Sequence, residues 1–313
     1  MPLDPGILKY IEITDKVFPP DFLDSPIGEQ RQMYADLAKS FDYPRPESIE
    51  VEDKTVGPRK VAVRIFRPEK DPARQGKQPC LFYMHGGGYV FGNLDSHDSI
   101  TAEIAERAGV TVISIDYSLA PEKPHPAACE DCWSVILEVT ANPELYGIDP
   151  DRLAVAGDSA GGNLSGAMCL KARAAGGPRL SGQVLIYPGF GLELSEPARC
   201  VTPDAPGFSR AEHDYYRRAY LGGAETTDDP LAFPLLNNDY TDLPPAYVVV
   251  AQYDPLRDDG EVYSDRLCAA GVNSELHLGR GLIHGFLRAR HMSKPAGEAF
   301  EGICKAVGKF LRD

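Results

Sequence analysis

Ser159 lies at the centre of Gly157-Asp158-Ser159-Ala160-Gly161-Gly162, between the apolar run Leu153 to Ala156 and small residues that suit a helix start. A strand turning this sharply into a helix pushes one side chain outward, and flanking glycines remove the Cβ atoms that would clash where strand and helix nearly touch. A hydroxyl held out on such a turn suits nucleophilic catalysis, whereas a glycine-rich turn without chemistry is the plain alternative. A base, an acid and a site for a developing oxyanion would decide between them.

Tyr253-Asp254-Pro255-Leu256-Arg257-Asp258-Asp259 follows the apolar strand Pro245 to Ala251 and offers three carboxylates. Only Asp254 stands at the strand's C-terminal edge, where catalytic groups gather in such sheets, and Pro255 keeps it out of helical conformation. Asp258 and Asp259 read as first-turn acids matched to the positive end of the next helix. Of seven histidines, His284 follows the last strand, Glu275 to Leu278, through the loop Gly279 to Ile283. His277 inside that strand and His291 in the final helix region read as packing or surface residues. Upstream, His85-Gly86-Gly87-Gly88 follows the short strand Cys80 to Met84. Its glycines leave backbone N–H groups uncovered, as a developing oxyanion requires; a merely flexible loop is the alternative.

Groups so far apart in sequence need a sheet to gather them. Helical periodicity covers Pro5 to Val17 and Ile27 to Phe41, broken by Pro19-Pro20. Ser48 to Val56 and Val61 to Phe66 flank the Gly57-Pro58 turn and predict an antiparallel edge, with Val61, Val63 and Ile65 alternating. Helix Ser99 to Ala108 and strand Val110 to Ile115 precede the proline-stiffened loop Asp116 to Ala128. A helix to about Thr140, the strand before Ser159, a helix from Ala160 to about Ala174 and strand Gly182 to Tyr187 continue the alternation. This rhythm predicts an α/β fold with a mostly parallel sheet covered by helices on both faces. Residues 190–235 break it, with Pro197, Pro203, Pro206 and the helical stretch Arg210 to Leu221. They read as an insertion over the site or a surface excursion, outside the sheet in either case.

The 313 residues carry a formal net charge of −14, which disfavours nucleic acid or an anionic membrane surface as partner and favours a neutral or cationic small molecule. The first residues have neither a basic start nor an apolar core, and no apolar run is long enough to span a bilayer, so a cytoplasmic protein is expected. Seven scattered cysteines fit reduced thiols. The Cys129-Glu130-Asp131-Cys132 spacing has no second ligand pair and opens a helix, so no metal is expected there.

With these residues in place, the sequence resembles the hormone-sensitive-lipase-like carboxylesterases, the bacterial branch with an aspartate before its serine. The resemblance runs through His85 to Gly88, Asp116 to Ala128, Gly157 to Gly162, Leu243-Pro244-Pro245-Ala246, Asp254 to Asp258 and His284-Gly285-Phe286. The order Ser159, Asp254, His284 is the α/β-hydrolase order. The resemblance implies an α/β-hydrolase fold, no metal or organic cofactor, and short-chain esters as substrates. It also implies a helical cap from residues 1–45 and 190–235, around a catalytic domain of residues 46–189 and 236–313. Ser118 and His125 depart from the usual loop, and Gly189-Phe190-Gly191 leaves the acyl pocket's shape open.

The expected mechanism has His284 as base, Asp254 orienting it, and an oxyanion hole from the N–H groups of Gly86, Gly87 and Ala160. Tyr89, Tyr187, Ile283 and Phe286, with Met33, Phe208 and Tyr215 from the cap, are the expected substrate contacts. The cap's Tyr34 is expected near them. An amidase or deacetylase of aryl amides would share every residue named. A non-catalytic hormone receptor on this fold would lack His284. The oligomeric state is left open, a homodimer included.

Overall fold

The structure, a computed structural model, describes residues 3–69, 77–191 and 207–312. Pro197, Cys200, Pro203 and Pro206 lie outside the described residues. Eight strands form one sheet among the described residues: β1 (Ile49–Val56), β2 (Val61–Pro68), β3 (Gln78–Met84), β4 (Thr111–Asp116), β5 (Ile148–Asp158), β6 (Gly182–Ile186), β7 (Ala246–Tyr253) and β8 (Ser274–Ile283). Their spatial order is β1-β2-β4-β3-β5-β6-β7-β8. β2 runs antiparallel to β1 and β4, as the sequence predicts for the edge, and β3 to β8 pair in parallel.

The parallel strands are apolar on both faces, so each sends alternate side chains into two separate cores. Cys80, Phe82 and Met84 of β3 enter one core while Leu81 and Tyr83 enter the other; Leu153 and Val155 of β5 part from Ala154 and Ala156 in the same way. Helices α1 (Pro5–Val17), α2 (Ile27–Ser40), α3 (Asp98–Ala108), α4 (Ala127–Ala141), the short α5 (Pro143–Tyr146), α6 (Ala160–Ala175), α7 (Arg210–Tyr220), α8 (Arg257–Ala269) and α9 (Lys294–Arg312) complete the described elements. Residues of α4, α6 and α8 cover the first core, and residues of α3 and α9 cover the second.

Two elements differ from the sequence reading. β8 continues through Gly279 to Ile283, which the glycines suggested as a loop. A register shift against β7 between Ala251 and Tyr253, and the hydrogen bond from Gly281 N–H to Gln252 Oε1 (2.8 Å), let the strand bend there without ending. His284 is therefore the first residue past a strand. His291 lies before α9, where it meets Glu103 Oε1 at 2.8 Å.

Asp116 ends β4 with its carboxyl pushed up to about 6, chiefly by burial and then by Asp95, against the pull of Arg64. Between about pH 4 and 6 the folded chain keeps a proton that the unfolded chain releases, so this group's contribution to stability is lost as pH rises through that window. Asp116→Asn is expected to gain melting temperature relative to the parent protein on going from pH 4 to pH 8. A difference that stays constant with pH would refute this account.

Candidate active site

At the β5–α6 turn, Ser159 holds φ 55° and ψ −117°, a conformation non-glycine residues rarely adopt. Its N–H is fixed by Ile186 O at 2.8 Å. The strain persists because the surroundings leave no room to relax it. A Cβ on Gly161 would lie 1.9 Å from Met84 O, and one on Gly157 would lie 2.3 Å from Gly161 O. β3, β5 and α6 thus meet backbone to backbone, and the serine hydroxyl is what projects.

His284 Nε2 lies 2.8 Å from Ser159 Oγ, and His284 Nδ1 lies 2.7 Å from Asp254 Oδ2. Because the Asp254 carboxylate accepts, Nδ1 carries the hydrogen and Nε2 is left to take the serine proton. The Asp254 side chain is fully buried, and its Oδ1 accepts the Leu256 N–H at 2.8 Å. Both oxygens are occupied and the imidazole is held in one tautomer. Asp259 serves elsewhere: its Oδ2 accepts the N–H groups of Phe190 and Gly191 at 2.5 and 2.9 Å, pinning the chain that leaves β6.

The oxyanion assignment needs one correction. Gly86 N–H is spent on Asp158 Oδ1 at 2.9 Å, and a Cβ there would lie 2.3 Å from Asp158 Oδ2, so this group faces the sheet and not the cavity. The two residues that follow, Gly87 and Gly88, line the cavity together with Ser159. Ala160 opens α6, so its N–H has no acceptor within the helix. Gly87, Gly88 and Ala160 therefore border the space beside the serine, and their N–H groups are the candidate oxyanion donors in place of the set that included Gly86. The sequence showed three glycines in a row but not which N–H was already taken by Asp158.

Two arms of a cavity meet at Ser159, of about 100 and 50 Å³. Tyr187 lines the larger, Tyr89 the smaller and Phe208 both; Phe208 stacks on His284 with ring centres 4.6 Å apart. Four expected contacts lie elsewhere. Ile283 is in the core beneath the site, and Phe286 is buried edge-on against Tyr187. Met33 packs with Phe22, Val90 and Phe91, and Tyr215 turns its hydroxyl to Gln30 Oε1 at 3.1 Å. On each of these helices the neighbouring residue faces inward: Tyr34 of α2 and Tyr216 of α7 line the cavity. One residue along a helix is 100° of rotation, and the sequence pattern placed the helices without fixing that rotation.

Sequence reasoning also missed the buried polar cluster beneath the site. Asp158 accepts from Tyr83 O–H at 2.8 Å and Tyr187 O–H at 3.4 Å, and lies 3.4 Å from His97 Nε2. Burial alone would raise its carboxyl; the bonds from His97 and Tyr83 and the nearby Arg288 outweigh that and hold it below the usual carboxylate range. His85 is pushed down to about 3, first by burial, and stacks on Tyr117 as a neutral ring. The departures in the 116–128 loop are local packing: His125 bonds Asp229 at 2.7 Å and Tyr220 O–H at 3.1 Å, and Ser118 bonds Asp131. Cys129 stands beside His125, but burial pushes its thiol up to about 12, so it stays protonated.

Fold and site together define an α/β-hydrolase. A family model described as alpha/beta hydrolase fold matches residues 81–288. An esterase of Mycobacterium tuberculosis, LipI, is 38% identical over 95% of this chain and 92% of its own, and the arylesterase of Saccharolobus solfataricus is 32% identical over 100% and 99%. Among solved structures, an ester-hydrolase from the metagenome of Lake Arreo, complexed with a bipyridine phosphonate derivative, superposes with TM-score 0.90 at 34% identity over 99% of both chains. The chain belongs to the hormone-sensitive-lipase-like carboxylesterase family of this fold.

A Cβ on Gly88, where φ is +60°, would lie 2.5 Å from the Tyr216 ring. Gly88→Ala is expected to lower kcat by about 10²-fold, the cost of spoiling one oxyanion donor. Adding Tyr216→Ala should recover about ten-fold by removing the clash, the strain at positive φ accounting for the remainder. No recovery in the double variant would show that α7 does not press on this loop.

Proposed function

We propose that the protein hydrolyses short-chain carboxylic esters through an acyl-Ser159 intermediate, a reading carried by the continuous Ser159–His284–Asp254 hydrogen-bonded chain beside a cavity that Gly87, Gly88 and Ala160 line. Ser159 Oγ attacks the ester carbonyl as His284 Nε2 takes its proton. Asp254 stabilises the imidazolium, and Gly87, Gly88 and Ala160 receive the oxyanion. His284 then protonates the departing alcohol, and a water activated by the same Nε2 frees the acid. No metal or organic cofactor enters this scheme, so a chelator is expected to leave the rate unchanged. Residues 1–45 and 190–235 are read as the cap, of which residues 1–2 and 192–206 lie outside the described residues, and the enzyme is read as cytoplasmic. None of the helices of the described residues is long and apolar enough to cross a membrane.

Ser159→Ala is expected to lower turnover by about three decades or more with the fold retained, and an organophosphate should label that serine alone. Asp254→Asn should cost nearly as much, and Asp258→Asn should affect stability more than rate. Near-native turnover by folded Ser159→Ala, or equal catalytic losses at the two aspartates, would overturn these roles.

Both arms of the cavity are small. Each methylene gains about 0.8 kcal/mol while it is being buried, so kcat/KM should climb over the first carbons and fall when the acyl chain meets the wall. An optimum at roughly two to eight carbons is expected across p-nitrophenyl esters from acetate to palmitate. A steady rise through palmitate would show an open pocket.

A further inference from the structure

One wall of the larger arm is polar. Tyr10, Tyr34 and Arg288 line it, and Tyr10 and Arg288 are only 5% and 7% exposed. Arg288 Nη1 donates to Ser96 O at 3.0 Å and Nη2 to Tyr34 Oη at 3.2 Å. That uses two of the five guanidinium N–H groups. Its Nε–H, and the Tyr34 O–H, are given to no acceptor among the described residues. Nor does a carboxylate of the described residues lie within ion-pair distance of Arg288.

Two carboxylates share the lining of this arm, and both are already engaged: Asp158 accepts from Tyr83, Tyr187 and Gly86, and Glu212 accepts the N–H and O–H of Ser209, each at 2.7 Å. A buried cation with no contacting anion is costly, and a ligand oxygen arriving at it regains much of that cost. Arginine suits the task because its donors sit in a fixed fork that matches a carboxylate. Burial raises the Tyr10 phenol to about 12 and raises that of Tyr34 as well, so both remain protonated donors at neutral pH.

We propose that this wall is a carboxylate subsite: with the scissile carbonyl at Ser159, a free carboxylate elsewhere on the substrate is held by Arg288 and Tyr34. The substrates would be half-esters of dicarboxylic acids, or esters whose alcohol carries a carboxylate. This rests on the esterase reading above. It also departs from the preference for neutral or cationic small molecules suggested by the net charge of −14. Long-range repulsion is screened over about 10 Å at 0.1 M salt, whereas contact with the guanidinium is not.

The test compares kcat/KM for monomethyl malonate through monomethyl adipate with methyl esters in which an isopropyl group replaces the carboxylate. A second arm compares acetate esters of ω-hydroxy acids with their isopropyl counterparts, which tells an acyl-side from an alcohol-side carboxylate. In one arm, the carboxylate member of matching length should exceed its isostere by about ten-fold or more. Arg288→Met should bring that ratio to about one, Tyr34→Phe should reduce it, and Arg288→Lys should keep part of it. Free dicarboxylate should also raise the melting temperature of the parent protein and of Ser159→Ala more than the matched monocarboxylate does. That reading stands even if Arg288→Met does not fold or no ester is turned over. Ratios near one in both arms, a preference that survives Arg288→Met and Tyr34→Phe, or equal thermal shifts would overturn the subsite. Absence of turnover on every ester would overturn the esterase reading instead.

Discussion

Everything at the site depends on how closely the end of β3 approaches the first turn of α6. Met84 O leaves no room for a side chain at Gly161, and that one backbone contact fixes both halves of the chemistry. It forces Ser159 into its strained conformation and sets the loop after β3 beside the free N–H of Ala160. The proposed nucleophile and oxyanion donors are thereby built on one junction of sheet and helix, with little left to reorganise when charge develops. Asp158 secures the junction from below by tying Gly86 to the residue before the serine.

The proposed base and acid come from further along the sheet's C-terminal edge, and their placement is equally a matter of strand ends. Asp254 and His284 each follow a strand directly, and β7 and β8 pair up to Tyr253 and Ile283. The pairing aligns the two residues before either side chain chooses a rotamer. What remains is satisfied locally, by Leu256 N–H on the acid and Ser159 Oγ on the base.

The proposed triad was legible in the sequence because each member carries a local signature: glycines about Ser159, a proline after Asp254, a strand end before His284. The sheet was legible because its strands are apolar on both faces and alternate with helices. What escaped are properties that depend on rotation and on partners distant in sequence. Gly86 and Gly88 look alike in a run of three glycines, and only Asp158, 72 positions away, removes the first from the oxyanion site. Met33 and Tyr34, or Tyr215 and Tyr216, are adjacent aromatic or apolar residues on amphipathic helices, and docking alone decides which one faces the cavity. Arg288 gave no signal because a single arginine after a histidine motif looks like any surface charge until its burial is seen.

His284 is walled by two rings of different origin: Tyr187, from the end of β6, and Phe208, from the segment leading into α7. One wall belongs to the rigid sheet and the other to the part of the chain that covers the site. Displacing residues 207–220 to admit a substrate would therefore also strip the imidazole of a face. Such an opened form would be a poor catalyst as well as an accessible one, and closing it over a bound ester would re-form that wall of the imidazole as solvent is expelled. Entry and proton transfer would then share one mechanical coordinate, and sequence drift in that covering segment would be felt in turnover as much as in substrate choice.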